Sequence, residues 1–129
     1  MKSIKKNLLY GVLVWLIPFV LSIFFVNQDG SYKIDVFLFK SIMILIGGCT
    51  GAIFLYLYFK KVTQSFIKEA VIIGLSWVAI NWLLDLLILV PMTKMSIASY
   101  FYEIGIRYLS ILVMSILIGK LLELKSNKL

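Results

Sequence analysis

The chain has 129 residues, of which 62% are hydrophobic, and its mean hydropathy is +1.03. This composition excludes an ordinary soluble globular domain, and about four spanning helices of about 20 residues each would use the whole length. The net charge is +7, but the lysines flank apolar segments instead of forming a polar stripe, so we expect membrane topology and no nucleic acid as the reason for the charge.

Cysteine and histidine, the usual ligands of zinc and haem, are almost missing from the sequence. There is one cysteine, Cys49, inside an apolar run, and no histidine. We therefore expect no metal site, no cofactor and no disulfide within the chain. The serines have no histidine to activate them, so we expect no catalytic residue, and a membrane enzyme ranks third among the candidate functions.

Four apolar segments predict an all-α fold, an integral-membrane four-helix bundle that forms a single domain. The predicted spans cover about residues 8–26, 35–59, 69–90 and 97–122. The first span looks like a signal peptide, but Phe24, Phe25 and Val26 end it where cleavage needs small residues, so we expect it to be retained. Pro18 should bend this helix, because proline lacks the N–H that the helical ladder uses.

Glycines and tyrosines mark the second span. Gly47 and Gly51 are four residues apart on one helix face, where a neighbouring backbone can approach closely, so we assign them to helix packing. Tyr56 and Tyr58 lie near the end of the span beside lysines. We expect these two side chains to anchor the helix at the membrane interface.

The third and fourth spans are separated by a short turn. Glu69 falls in the first turn of the third span, where a carboxylate complements the positive helix end. Pro91 and the residues up to Met95 are expected to reverse the chain, and Ser96 is a suitable N-cap. The final helix is predicted to run unbroken to about Lys125, roughly 45 Å, which exceeds the thickness of the hydrocarbon core.

The distribution of basic residues predicts the orientation. The segments at one end of the bundle carry Lys2, Lys5, Lys6, Lys60, Lys61, Lys68, Lys120, Lys125 and Lys128. The loops at the opposite end hold only Lys33 and Lys94. Because basic loops stay in the cytoplasm, we expect a multi-pass protein of the plasma membrane with both termini inside. The expected partner is the bilayer, with anionic lipids at its cytoplasmic face, and a second copy of the chain is a further candidate.

Polar side chains within the last two spans form the candidate site. Asn81 and Asp85 are four residues apart on one helix face, and so are Glu103 and Arg107. Counting along the helices places Asp85 and Glu103 nearly level, about 9 and 10 Å below the turn. We therefore predict that Arg107 bridges Asp85 and Glu103, while Asn81 bonds its remaining donors. Lys40 is a further candidate, although snorkelling to the interface is a simpler explanation for it.

Two interpretations of this cluster stay open. One is a polar clasp that fixes the packing of the third and fourth spans, because the two acids balance Lys40 and Arg107 in charge. The other is a cavity that opens outward, because ionisable residues within a membrane mark substrate paths or proton relays. Aromatic side chains either line such a cavity or pack and anchor the helices: Trp77, Trp82, Tyr100, Phe101, Tyr102 and Tyr108.

Residues 81–86 (NWLLDL) and 104–109 (IGIRYL) resemble two patches in an uncharacterised group of small prokaryotic four-span membrane proteins. The resemblance implies a four-span fold and carries no activity. From the residues themselves we expect a small transporter or channel-like protein that binds an ion or polar solute at Asp85, Glu103 and Arg107. The alternative is a non-catalytic structural or regulatory membrane subunit, whose charge cluster locks helix packing or docks a partner.

Overall fold

The computed structural model describes residues 2–29 and 31–128, so Gly30 of the polar loop after the first span lies outside the described residues. The described chain is helical: α1 Lys2–Ile23, α2 Val36–Phe59, α3 Phe66–Leu84, α4 Val90–Thr93, α5 Ile97–Glu103 and α6 Leu109–Lys128. A π-helical turn, Asp85–Leu89, joins α3 to α4, and a 3-10 turn, Gly105–Tyr108, joins α5 to α6. By length and composition, four helical stretches suit a membrane crossing: Lys5–Ile23, Val36–Phe59, Phe66–Thr93 and Gly105–Asn127.

The long helices form a ring in the order α1, α3, α6, α2. α3 packs along both α6 and α1, while α2 packs against α1 and α6. The buried core at the centre of this ring includes Leu55, Ile73 and Trp77. Two ends follow from this arrangement. We call the end formed by residues 24–29, 31–35 and 94–96 the loop end, and the end formed by the start of α1, the end of α6 and residues 60–65 the terminal end.

Small residues bring α3 and α6 together. A Cβ atom added to Gly74 would lie 2.7 Å from Leu112 Cδ1, and one added to Gly119 would lie 2.5 Å from the Cβ of Ala70. Between these two points the Ser115 hydroxyl donates to the carbonyl oxygen of Ala70 at 2.7 Å. Close backbone approach supported by a serine bond is typical of helix pairs that pack through small residues.

The two glycines that the sequence assigned to helix packing, Gly47 and Gly51, do not lie in the contact between α3 and α6. A Cβ at Gly47 would have no neighbour within 4 Å, so Gly47 does not pack against a helix and that prediction is wrong. Gly51 is buried, and a Cβ there would make an ordinary contact with Ile111 of α6 at 3.5 Å. The spacing of Gly47 and Gly51 predicts a helix face without side chains, but it does not predict whether that face packs against another helix or borders open space.

The third span does not end at its proline. The backbone N–H of Val90 bonds to the carbonyl of Asp85 five residues back, which widens the helix just before Pro91. This wider turn precedes a residue that has no N–H and whose ring clashes with the carbonyl four residues earlier. The helix then continues to Thr93, and the chain reverses at Lys94, which has a left-handed backbone with φ 58°.

The fourth span begins as predicted but is not continuous. The Ser96 side chain accepts the backbone N–H of Ser99 at 3.1 Å, which confirms the N-cap. The helix breaks at Ile104, with φ −128° and ψ −52°, and just after the break the Gly105 carbonyl accepts the Trp82 indole N–H at 2.8 Å. The predicted unbroken helix is therefore wrong.

Tyr58 and Glu69 tie α2 to α3 at the terminal end. The Tyr58 hydroxyl donates to Glu69 Oε2 at 2.6 Å, and the tyrosine is buried. Glu69 lies in the first turn of α3, as predicted. Tyr58 therefore bonds to a neighbouring helix, whereas Tyr56 is exposed, and anchoring of the two side chains at a membrane interface stays a prediction.

The packing of α3 on α6 predicts opposite effects for one substitution at two glycines. We expect Gly119→Ala to lower the free energy of unfolding by about 1–3 kcal/mol, because the new methyl group overlaps Ala70 and the backbone of Phe66. Gly47→Ala, the matched control, should raise it by about 0.5–1 kcal/mol, because alanine is the better helix former and the space is open. Unfolding in mixed micelles measures both. An equal response of the two variants would contradict the packing described.

Candidate functional site

Asp85 lies at the start of the π-helical turn and is 1% exposed. Trp15 of α1 donates its indole N–H to Asp85 Oδ1 at 2.6 Å, and Tyr100 of α5 donates its hydroxyl to Oδ2 at 2.5 Å. The hydroxyl of Tyr108 faces the same carboxyl group. A buried carboxylate needs such donors, since an unsatisfied one is costly in an apolar surrounding. The site therefore joins three parts of the chain around one side chain.

Trp15 is the partner that the sequence interpretation missed. Its indole N–H requires an acceptor when it is buried, and Trp15 is only 7% exposed. Asp85 is the acid deepest within an apolar segment, and its position along α3 matches that of Trp15 along the parallel helix α1. A buried tryptophan opposite a buried acid is the signal that would have found this bond.

Arg107 does not bridge Asp85 and Glu103, so the predicted pairing is wrong. Within the part of the chain that the structure describes, the guanidinium has no hydrogen-bond acceptor and no carboxylate within 4.0 Å. A break at Ile104 and the 3-10 turn that follows separate Glu103 from Arg107, so the two residues do not lie on one face of a continuous helix.

Glu103 pairs with Lys40 instead. Lys40 Nζ lies 2.8 Å from Glu103 Oε1, with the two side chains 33% and 44% exposed. The bond joins α2 to α5, so Lys40 belongs to the polar cluster as a partner and not only as a snorkelling side chain. A partly exposed pair of this kind contributes about 1 kcal/mol or less to stability.

Asn81 is fully buried but does not contact Arg107. Its Nδ2 donates to the Trp77 carbonyl at 2.7 Å, one turn back in α3, and its Oδ1 has no partner among the described residues. The prediction that Asn81 bonds the donors of Arg107 is therefore wrong. Trp77 in turn donates its indole N–H to the carbonyl of Asn7 in α1 at 3.0 Å. Both side chains belong to the packing of α1 on α3.

A cavity of about 850 Å³ occupies the half of the bundle nearest the loop end. All four long segments contribute to its walls, and it reaches from Gly47 and Gly48 in the middle of α2 to exposed residues of the loops. Its acidic and basic lining residues are Asp29, Lys40, Asp85, Lys94, Glu103 and Arg107. The predicted site between the third and fourth spans is thus part of a larger chamber to which α1 and α2 also contribute.

The rim of the cavity carries Asp29 and Lys94, both exposed. The Ser31 hydroxyl and backbone N–H bond to Asp29 Oδ1 at 2.6 and 3.0 Å. These bonds, from the hydroxyl first and then from the backbone, hold the pKa of Asp29 below its ordinary value. Asp29 is therefore a charged residue at neutral pH, tied to its own loop.

Comparison of the chain with protein-family models, with curated proteins and with solved structures finds no match. Among the described residues no group of three or more acidic or cysteine side chains is arranged to hold a metal ion. The geometry of the cavity is therefore the basis for a functional proposal.

The bonds to Asp85 predict that the hydroxyl of Tyr100 stabilises the fold and that the hydroxyl of Tyr102 does not. Tyr100→Phe should lower the free energy of unfolding by about 1.5–3 kcal/mol, because it removes a donor from a buried carboxylate. Tyr102→Phe is the control, since Tyr102 is 83% exposed and its change should stay within about 0.5 kcal/mol. Equal stabilities of the two variants in a detergent unfolding titration would contradict the role given to Tyr100.

Proposed function

We propose that the chain is a multi-pass protein of the plasma membrane with both termini in the cytoplasm. Large apolar side chains cover the outside of the bundle, as for Phe37, Leu45 and Val113, each at least 66% exposed. In water such a surface would aggregate, whereas in a bilayer it faces lipid. The lysine-rich terminal end faces the cytoplasm in this orientation, and the loop end faces outward.

The cavity supports a transport or channel-like function better than any other. Its volume of about 850 Å³ falls in the range of pockets that hold small organic molecules. It is lined by charged groups at membrane depth and meets the surface at exposed loop residues, which is the arrangement expected of a solute path. We propose that the chain takes up or conducts a small polar solute through this chamber, with Arg107 and the Lys40–Glu103 pair contacting it.

A second candidate function is supported by the bonds of Asp85. Both of its carboxylate oxygens are used by side chains of other helices, as a packing lock requires. In that case the chain is a structural or regulatory subunit, and the cavity is a space that lipid or a partner fills. Water access to the cavity separates the two functions.

The terminal end suits anionic lipid, the partner expected from the sequence. Lys6 and Lys61 line a smaller pocket of about 250 Å³ together with Thr63 and Gln64. Lys60 adds a further positive charge at this end, although Glu69 also lines the pocket. We propose that lipid phosphate groups gather there, while association with a second copy of the chain stays a prediction.

Thiol labelling tests water access to the cavity. In a Cys49→Ser background, Gly48→Cys should react with a charged, membrane-impermeant methanethiosulfonate added to the outside of intact cells. The new side chain has open space, and Gly48 lines the cavity. Leu45→Cys, on the outer face of the same helix and 67% exposed in the protein alone, should react at least about tenfold more slowly because lipid covers it. Equally slow labelling at both positions, from outside and from inside, would contradict a solute path.

Cysteines added at the two ends of the chain test the orientation of the protein in the membrane. A cysteine placed before Met1 or after Leu129 should react with the same reagent only after the membrane is opened, because both termini lie inside. Ser31→Cys in the outer loop is the control and should react in intact cells. Labelling of either terminus from outside would overturn the proposed topology.

A further inference from the structure

Among the described residues inside the cavity, Arg107 is the cation whose guanidinium has no carboxylate within 4.0 Å. We propose that it forms the anchor of a binding site for a small organic anion, a carboxylate with an aromatic or aliphatic body. This inference rests on the proposed function, because it names the class of solute for the same cavity. The inference depends on which of the surrounding charged side chains already have a hydrogen-bond partner.

The other charged groups of the inner cavity are occupied. The ammonium of Lys40 is bound to Glu103, and each oxygen of Asp85 already accepts a hydrogen bond. Lys94 lies at the exposed rim. Among the described residues of the inner cavity, an anion that enters therefore meets one cation that no carboxylate has bound. That cation is the guanidinium of Arg107.

The chemistry of that group selects the ligand. A guanidinium presents a planar fork of N–H donors that matches both oxygens of a carboxylate. Arg107 lies in the 3-10 turn Gly105–Tyr108 that leads directly into α6, and Ser110 and Ile111 of the first turn of α6 also contribute to the cavity wall.

The remaining walls select the body of the ligand. Apolar and aromatic side chains from three helices face the chamber: Val14, Phe19, Met43, Ile44 and Ile111. Phe19 stacks on Trp15, with ring centroids 4.7 Å apart, and so forms a fixed aromatic wall near Asp85. A bare inorganic anion would leave these surfaces against water, whereas a ligand with an apolar body covers them.

Three matched probes separate charge from shape. Benzoate, benzamide and benzylammonium share a ring and differ in their head group. Added to the purified full chain in detergent, benzoate should raise the thermal midpoint by about 4 °C at ten times its Kd, and change the fluorescence of Trp15. Benzamide and benzylammonium should shift the midpoint by less than about 1 °C over the same concentration range.

Variants assign the binding to Arg107. Arg107→Gln should weaken benzoate binding at least about tenfold, and Arg107→Lys should retain part of it because the charge stays. Lys33→Gln removes a positive charge from the same loop end outside the cavity lining and should leave benzoate binding unchanged. If Arg107→Gln unfolds in detergent, Arg107→Lys and the three probes on the unsubstituted chain still decide the outcome.

Three results would overturn the inference. Benzoate binding of equal strength in Arg107→Gln would exclude the guanidinium as the anchor. Benzamide binding as tightly as benzoate would exclude a need for charge. Inorganic phosphate binding as tightly as benzoate would exclude the apolar body. If benzoate fails to bind while Gly48→Cys reacts from outside, the inference alone fails; if neither occurs, the transport function fails with it.

Discussion

The bonds that Trp15 and Tyr100 make to Asp85 are the constraint on which the polar interior depends. In the proposed membrane setting, a carboxylate at this depth costs about 3 kcal/mol or more unless donors surround it. Here the donors are neutral and come from α1 and α5, on two sides of α3. Because these side chains satisfy Asp85, the arginine is not needed for that purpose. The position of Arg107 in the cavity follows from that arrangement.

The two interpretations of the polar residues therefore apply to different side chains. Asp85 and Asn81 behave as packing residues, fully buried and bonded within or between helices. Arg107 and the Lys40–Glu103 pair line an open chamber. The packing residues and the cavity lie side by side, and Asp85 belongs to both because its carboxyl group also lines the cavity. At the break in the fourth span, the Trp82 indole N–H donates to the backbone carbonyl of Gly105.

Hydropathy and capping chemistry predict the coarse features of the structure. The four long helices and the N-cap at Ser96 depend on local composition, which sequence reports directly. The packing glycines and the partner of Asp85 depend on which faces of two distant helices meet. Gly74 and Gly119 carry no local signal that distinguishes them from Gly47, and only the ring order of the helices decides between them.

The pairing predicted for Arg107 was wrong for a different reason. It assumed a continuous helix through Gly105, so that Glu103 and Arg107 shared a face. Glycine is tolerated in helices, and its lack of a side chain here leaves room for Phe101 and Tyr100, whose rings a Cβ atom would meet at 2.6 and 3.1 Å. The residue type allowed both outcomes, and the contacts around Gly105 with distant and neighbouring side chains are not visible in the local sequence.

Two double-mutant cycles that share Asp85→Asn test the central claim most directly. One cycle combines it with Tyr100→Phe and the other with Arg107→Gln, with stability measured by unfolding in mixed micelles. The account predicts a coupling energy above about 1 kcal/mol for Asp85 with Tyr100, and below about 0.5 kcal/mol for Asp85 with Arg107. A larger coupling to Arg107 than to Tyr100 would show that the carboxylate and the guanidinium are partners, and would contradict the account.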